Sequence, residues 1–221
     1  MLYKYKNNRG LFMKTILCYG DSLTWGYDPA TGKRIIRDKR WPGVLRNDLG
    51  SNYFVIEEGL NGRTTLWDDP LHGGYKNGRK YLIPCLASHR PVDLVILFLG
   101  TNDLKTRFSL SATEIARSIR VLVDLILKSE AGPHENAPEI LLVAPPIITE
   151  LSNFAEEFES GKTKSRLLGQ YYKQVAEEYN VNFLDSSEVV VASDLDGIHL
   201  DVREHVKLGH VMADIVRKIM E

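Results

Sequence analysis

Cysteine is scarce in this chain: Cys18 and Cys85 are the only two among 221 residues, and they form no CxxC pair. That excludes a disulfide framework and the cysteine-rich zinc motifs, and it predicts two buried thiols in a reducing compartment. No apolar run approaches the roughly 20 residues that span a bilayer, so no membrane partner is expected. Charge of one sign is also missing as a block. The net charge is −1, which gives no case for a nucleic-acid partner. There is no internal repeat and no low-complexity segment. The first twelve residues, Met1 to Phe12, are polar and basic and lack the apolar centre of a secretory signal. They read as a poorly ordered N-terminal extension (1–12) ahead of a single domain (13–221), with Met13 a candidate start and the cytoplasm the expected location.

What is present is an alternation. Apolar, β-branched runs occur at Thr15–Tyr19, Tyr53–Ile56, Asp93–Leu99, Glu139–Ala144 and Val181–Leu184. Near-continuous apolar strands imply burial on both faces, as in a parallel sheet. Helical patterns fall between them. Ser111-Ala112-Thr113-Glu114 has capping-box spacing, and Ile115, Ile119, Leu122 and Ile126 follow at helical intervals. Lys164–Tyr179 presents Leu167, Leu168, Tyr171, Tyr172 and Val175 as an apolar side. Arg203–Met220 closes the chain, with Val206, Val211, Ile215 and Ile219 expected to point inward. Trp41–Leu49 and Arg79–His89 are expected as shorter helices. The pattern predicts one α/β sandwich with helices on both faces and right-handed crossovers. The longest irregular stretch, Asn61–Gly78, is a candidate pocket cover or subunit contact.

Open α/β folds place ligands at the carboxyl ends of their strands. The first run ends in Gly20-Asp21-Ser22-Leu23-Thr24-Trp25-Gly26, which puts a serine hydroxyl on a turn at that edge. The second leads into Glu57-Glu58-Gly59-Leu60-Asn61-Gly62-Arg63-Thr64, and the third into Gly100-Thr101-Asn102-Asp103. Acyl transfer needs a nucleophile, donors for the developing oxyanion, and a base. Ser22 supplies a nucleophile. Its own N–H, the N–H of Gly62 and the amide of Asn102 are available as oxyanion donors. Gly62 has no Cβ to hold a substrate off the backbone, and Asn102 donates without carrying charge. His199 lies in a loop before the last helix, and an unperturbed imidazole titrates near ~6.5, suited to taking a serine proton. Asp196, three residues earlier, is placed to hold the other ring nitrogen. Asp21 and Asp103 read as loop-bracing residues. Trp25, Tyr27, Leu23, Ile198 and Lys105 are candidate substrate-pocket liners, and Pro145-Pro146 a strand stop at the pocket edge.

These blocks resemble those of the GDSL, or SGNH, hydrolases. Gly20-Asp21-Ser22-Leu23 is similar to the family's first block, Gly62 to its glycine block, Asn102 to its asparagine block, and Asp196-xx-His199 to its last. All four occur in the family's order across residues 20 to 199. The longer strings resemble the bacterial arylesterase and acyltransferase branch. The resemblance implies a flavodoxin-like three-layer α/β/α sandwich with a five-stranded parallel sheet, no cofactor, and hydrolysis of small esters through an acyl-enzyme. It also implies possible acyl transfer to alcohols and a homo-oligomer. One departure is Glu57, which stands where many members carry the asparagine that opens the glycine block.

Rival readings remain on the same residues. An O-deacetylase of carbohydrates or metabolites would use the same site. A flavodoxin-like binding module would hold a ligand without turnover. A metal-dependent phosphoesterase would draw on Asp196, His199, Asp201 and His205, with His72, His89, His134 and His210 in reserve. Their spacing matches no closed zinc pattern, so no metal is expected in catalysis, and His205 and His210 read as surface or packing residues of the last helix.

Overall fold

The computed structural model describes residues 13–221; the expected N-terminal extension lies outside the described residues. Five strands form one sheet: β1 (Lys14–Gly20), β2 (Tyr53–Gly59), β3 (Leu94–Phe98), β4 (Glu139–Ala144) and β5 (Asn182–Asp185). Every pairing is parallel, in the order β2-β1-β3-β4-β5. This is the flavodoxin-like order, whose strand sequence reverses direction between β1 and β3. Gly20 stands in register with Gly59 on one side and Phe98 on the other. The three loops that follow therefore leave the sheet at one level.

Among the described residues six α-helices accompany the strands: α1 (Ser22–Trp25), α2 (Trp41–Leu49), α3 (Gly78–His89), α4 (Ala112–Leu127), α5 (Gly161–Tyr179) and α6 (Val202–Met220). The alternation of side chains along each strand sorts the core into two layers. Leu17, Tyr19, Val95, Leu97, Ile140 and Leu142 face α3, α4 and α5. Ile16, Cys18, Leu94, Ile96, Leu141 and Val143 face α2 and α6. Burying a leucine or isoleucine in either layer is worth about 1.5–3 kcal/mol. Ser111 and Glu114 close a capping box at the start of α4.

Two expectations about helix faces need correction. In α6 the buried stripe is His205, Leu208, Gly209, Met212, Ala213 and Val216; Ile215 and Ile219 do pack inward against the core, partly buried, while Val206 and Val211 lie partly buried on its flanks. The helix packs closely on α2, and small residues make the contact. A Cβ at Gly209 would come within 2.5 Å of Val44 Cβ. In α5 the buried side is Leu168, Tyr172, Val175 and Ala176, and Leu167 is exposed. Leu168 and Tyr172, four apart, set that face; Leu167 is rotated about 100° from Leu168 and falls outside it. The irregular stretch after β2 is anchored rather than loose. Asp103 accepts from Thr65 N (3.0 Å) and Thr65 Oγ1 (2.5 Å), and Thr64 N donates to Lys76 O (3.0 Å).

Candidate active site

Local chemistry sets the serine. Asp21 caps the one-turn helix α1, its Oδ1 accepting from Leu23 N at 3.0 Å. The turn is pressed onto the sheet edge through two glycines. A Cβ on Gly20 would lie 2.0 Å from Thr24 Oγ1, and one on Gly59 would lie 2.2 Å from Trp25 N. Any side chain at either position would lift Ser22 off the edge.

His199 reaches Ser22 from the other end of the chain. The loop before α6 turns at Gly197, whose φ is +79°, a conformation that disfavours side chains. Asp196 Oδ1 accepts from the backbone N–H of Ile198 and of His199, both at 2.9 Å. Its Oδ2 is thereby aimed at His199 Nδ1, 2.7 Å away, and His199 Nε2 lies 2.9 Å from Ser22 Oγ. A carboxylate only accepts, so Nδ1 carries the ring proton and Nε2 presents its lone pair to the serine hydroxyl. Burial alone would raise the Asp196 carboxyl, but the bond and charge of His199, with the two backbone donors, hold it below the ordinary range.

The three candidate oxyanion donors line the same cavity. Gly62 is the third residue of a turn closed by Arg63 N to Leu60 O (3.0 Å), with φ +78°. Among the described residues, no acceptor takes the Ser22 or Gly62 N–H. The Asn102 amide donates to Arg63 O at 3.1 Å, and its second contact, to Asp21 Oδ2, is long at 3.4 Å. The glycine turn is pinned by Arg63, not by residue 57. Arg63 donates to Gly20 O (2.8 Å) and Glu58 O, with its guanidinium 4.3 Å over the Tyr19 ring. Glu57 serves elsewhere, holding Arg40 at 2.6 Å and Arg46 at 3.0 Å.

Two buried carboxyls lie beneath this edge. Burial raises Asp21 to about 6 against its bond from Leu23. Burial also raises Asp103 to about 7, with the charge of Asp21 adding to the rise and the Thr65 bonds opposing it. Both brace loops, as expected.

A cavity of about 250 Å³ opens over Ser22 and His199. Gly62 and Asn102 line it, as do Tyr27, Lys105 and Ile198 among the expected pocket residues. Leu23 and Trp25 do not. Leu23 is fully buried beneath the sheet edge, and Trp25 turns outward under the Arg34 guanidinium, 5.1 Å away. Leu23, the next residue in α1, is rotated by about 100° from Ser22 and so points into the core. Asn61, His72 and Lys76 come from the Asn61–Gly78 stretch that was a candidate pocket cover; Thr101, with Phe154, Glu157 and Phe158 from the turn before α5, was not singled out as a wall from sequence. The i, i+4 spacing of Phe154 and Phe158 was the one available signal. The ring centroids of Tyr27 and Phe154 lie 4.3 and 6.1 Å from that of His199. Arg107 ties the walls together, donating to Glu157 and Asp69 at 3.1 Å each. Burial lowers both Lys76 and Lys105 from the usual lysine value.

The alternative metal cluster does not assemble. Asp201 caps α6 through Glu204 N (2.9 Å), His205 is buried with its Nδ1 accepting from Trp41 N (3.3 Å), and His210 pairs with Asp48 on the surface (2.6 Å). Burial pushes His205 down to about 3, which keeps it neutral.

Known proteins are similar to this chain. The family model for GDSL-like lipase/acylhydrolases matches residues 18–205. The solved structure of an M. smegmatis aryl esterase is 42% identical with a TM-score of 0.89, covering 93% of this chain and 99% of that one. A carbohydrate acetylesterase from Sinorhizobium meliloti is 39% identical with a TM-score of 0.89, covering 93% and 99%. No curated protein matches the chain. With its serine, glycine, asparagine and aspartate–histidine blocks meeting at one sheet edge, the chain belongs to the GDSL-like lipase/acylhydrolase family and is a serine ester hydrolase.

Proposed function

We propose that the enzyme hydrolyses small, short-chain carboxylic esters through an acyl-enzyme on Ser22, with His199 as base and Asp196 as its orienting partner. The observation that carries this is the continuous relay from Asp196 Oδ2 through His199 to Ser22 Oγ at 2.7 and 2.9 Å, at the floor of the cavity. Ser22 Oγ attacks the ester carbonyl while its proton passes to His199 Nε2. The N–H groups of Ser22 and Gly62 and the Asn102 amide receive the tetrahedral oxyanion. His199 returns the proton to the leaving alcohol, and Ser22 is left acylated. Water then attacks the acyl carbon, gives its proton to His199, and releases the acid. A cavity of about 250 Å³ favours a short acyl group.

The aromatic walls around His199 suit an organic alcohol as acceptor in place of water, which is the acyl-transfer reading. The polar groups Asn61, Lys76, Lys105 and Glu157 at the same cavity suit a sugar or other polar metabolite as the alcohol half of the ester. A fluorophosphonate reagent, followed by mapping of the adduct, tests the assignment. Labelling at Ser22 that disappears in Ser22→Ala is expected, and full ester turnover in that variant overturns it.

Two further parts of the reading rest on surface and thiols. Leu71 and Tyr75 expose 72% and 65% of their surface on the segment after β2, which suits burial in a homo-oligomer. A monomer by light scattering counts against it. Cys18 and Cys85 are unbridged and buried, which suits a reducing cytoplasm. Among the described residues no helix is long and apolar enough to cross a membrane.

A further inference from the structure

Outside the catalytic cavity, one cluster joins three types of metal-ligating side chain. Glu58 at the end of β2 meets Cys85 and His89 of α3, and one ligand atom from each lies within 4.8 Å of the others. Cys85 and His89 are four apart on a helix, so they project from the same face, one turn above the other. We propose that Glu58, Cys85 and His89 form a three-ligand site for a single zinc-class divalent cation, completed by water, that ties α3 to β2 behind the glycine turn.

The geometry of the pair already in contact supports the assignment. Zinc bonds to oxygen and nitrogen of about 2.0–2.1 Å at a tetrahedral angle leave the two ligand atoms about 3.3 Å apart. Glu58 Oε1 and His89 Nε2 lie 3.4 Å apart. Charge supports it too. A thiolate and a carboxylate together cancel the two positive charges of the ion, and His89 binds as the neutral ring. The loaded site therefore buries no net charge, which is the condition for placing an ion in a protein interior. The ligand set of sulfur, nitrogen and oxygen favours zinc over the harder calcium and magnesium.

Glu58 lines a cavity of about 600 Å³, and His89 lines a separate one of about 420 Å³. Cys85 itself has no exposed surface, so the ion enters by displacing the Glu58–His89 contact. Burial, with Glu58 alongside, pushes the free thiol up to about 12. On binding, the Cys85 S–H bond breaks, the sulfur–metal bond forms, and the proton leaves to solvent. The ion sits close behind the glycine turn: Glu58 O accepts from Arg63, the residue that follows Gly62.

Cobalt(II) is the direct probe, because a thiolate ligand gives it a charge-transfer absorption. The full-length chain, stripped with a chelator under reducing conditions, is titrated with cobalt and then with zinc. One equivalent of cobalt should produce the band, and zinc should abolish it. Cys85→Ser should remove the band, and His89→Ala and Glu58→Gln should each weaken binding tenfold or more. His210→Ala, which breaks the separate surface pair with Asp48, should leave it unchanged. His89 is half-buried, so its variant tests the site even if Cys85→Ser does not fold. No band in the wild type, an unchanged band in both His89→Ala and Glu58→Gln, or a band lost only in Cys18→Ser overturns the proposal.

Discussion

His199 Nε2 lies 2.9 Å from Ser22 Oγ, although 177 residues separate the two in the chain. The contact exists because β1 ends in a glycine-seated turn and because Asp196 holds the opposite ring nitrogen. Its consequences are open to direct test.

Asp196→Asn should leave the fold intact and lower kcat by roughly 10⁴. Oδ1 would still accept from Ile198 N and His199 N. The new amide group would face Nδ1 as a donor and force the ring proton onto Nε2, where it opposes the serine hydroxyl. Steady-state kinetics beside an unchanged circular dichroism spectrum would separate this from unfolding; a loss below tenfold would show that Asp196 does not set the tautomer.

Asn102→Ala removes one of the proposed oxyanion donors and should cost on the order of 10²–10³ in kcat with KM little changed. The same change frees Arg63 O, which now accepts from the amide at 3.1 Å. Comparable falls in thermal stability and activity would mark Asn102 as a loop brace instead.

Gly62→Ala separates strain from space. A Cβ there meets nothing closer than the Lys76 side chain at 3.6 Å, but φ is +78°. The backbone penalty is about 1–2 kcal/mol. A stability loss of that size is expected, accompanied by a fall in kcat as the Gly62 N–H is redirected. Unchanged kcat would remove Gly62 from the proposed donor set.

Stability should fall as pH rises through 6 to 7. Asp21 and Asp103 have folded values raised by burial to about 6 and about 7, above their unfolded carboxylate values. The folded state then holds protons that the unfolded chain releases, so this contribution is fully present below about pH 4 and is lost as pH passes the folded values. One such proton is worth at most about 1.4 kcal/mol per pH unit. Thermal melts between pH 5.5 and 8 should show the slope, and Asp103→Asn should reduce it. A slope unchanged in that variant would contradict the assignment.

The sequence carried the site further than it carried the packing. Ser22, Gly62, Asn102, Asp196 and His199 each belong to a short block whose residue types follow from local demands: a tight turn, a positive φ, a donor at a strand end. Strand positions were equally legible, because burial on both faces leaves a continuous apolar run such as Leu94–Phe98. Helix faces were less so. The inner stripe of α6 includes Leu208, Met212 and Val216 at helical spacing, but also His205 and Gly209, which hydrophobic spacing does not weigh and which the close approach of α2 requires.

The pocket walls were legible only in part. The Asn61–Gly78 stretch, Tyr27, Lys105 and Ile198 were candidates, but Phe154 and Glu157 come from a segment without regular periodicity, and Arg107 and Lys105 both tie Glu157 to the opposite wall. Leu23 is turned into the core by the rotation of about 100° from Ser22, and Trp25 lies under the Arg34 guanidinium instead of in the cavity. By itself, then, the sequence determined the class of fold and which residues could perform the chemistry, since those depend on local pattern and side-chain type. Only the tertiary structure decided which side chains surround the substrate, and that Glu58 meets Cys85 and His89. Those juxtapositions depend on how separate elements pack, and neighbouring residues do not encode them.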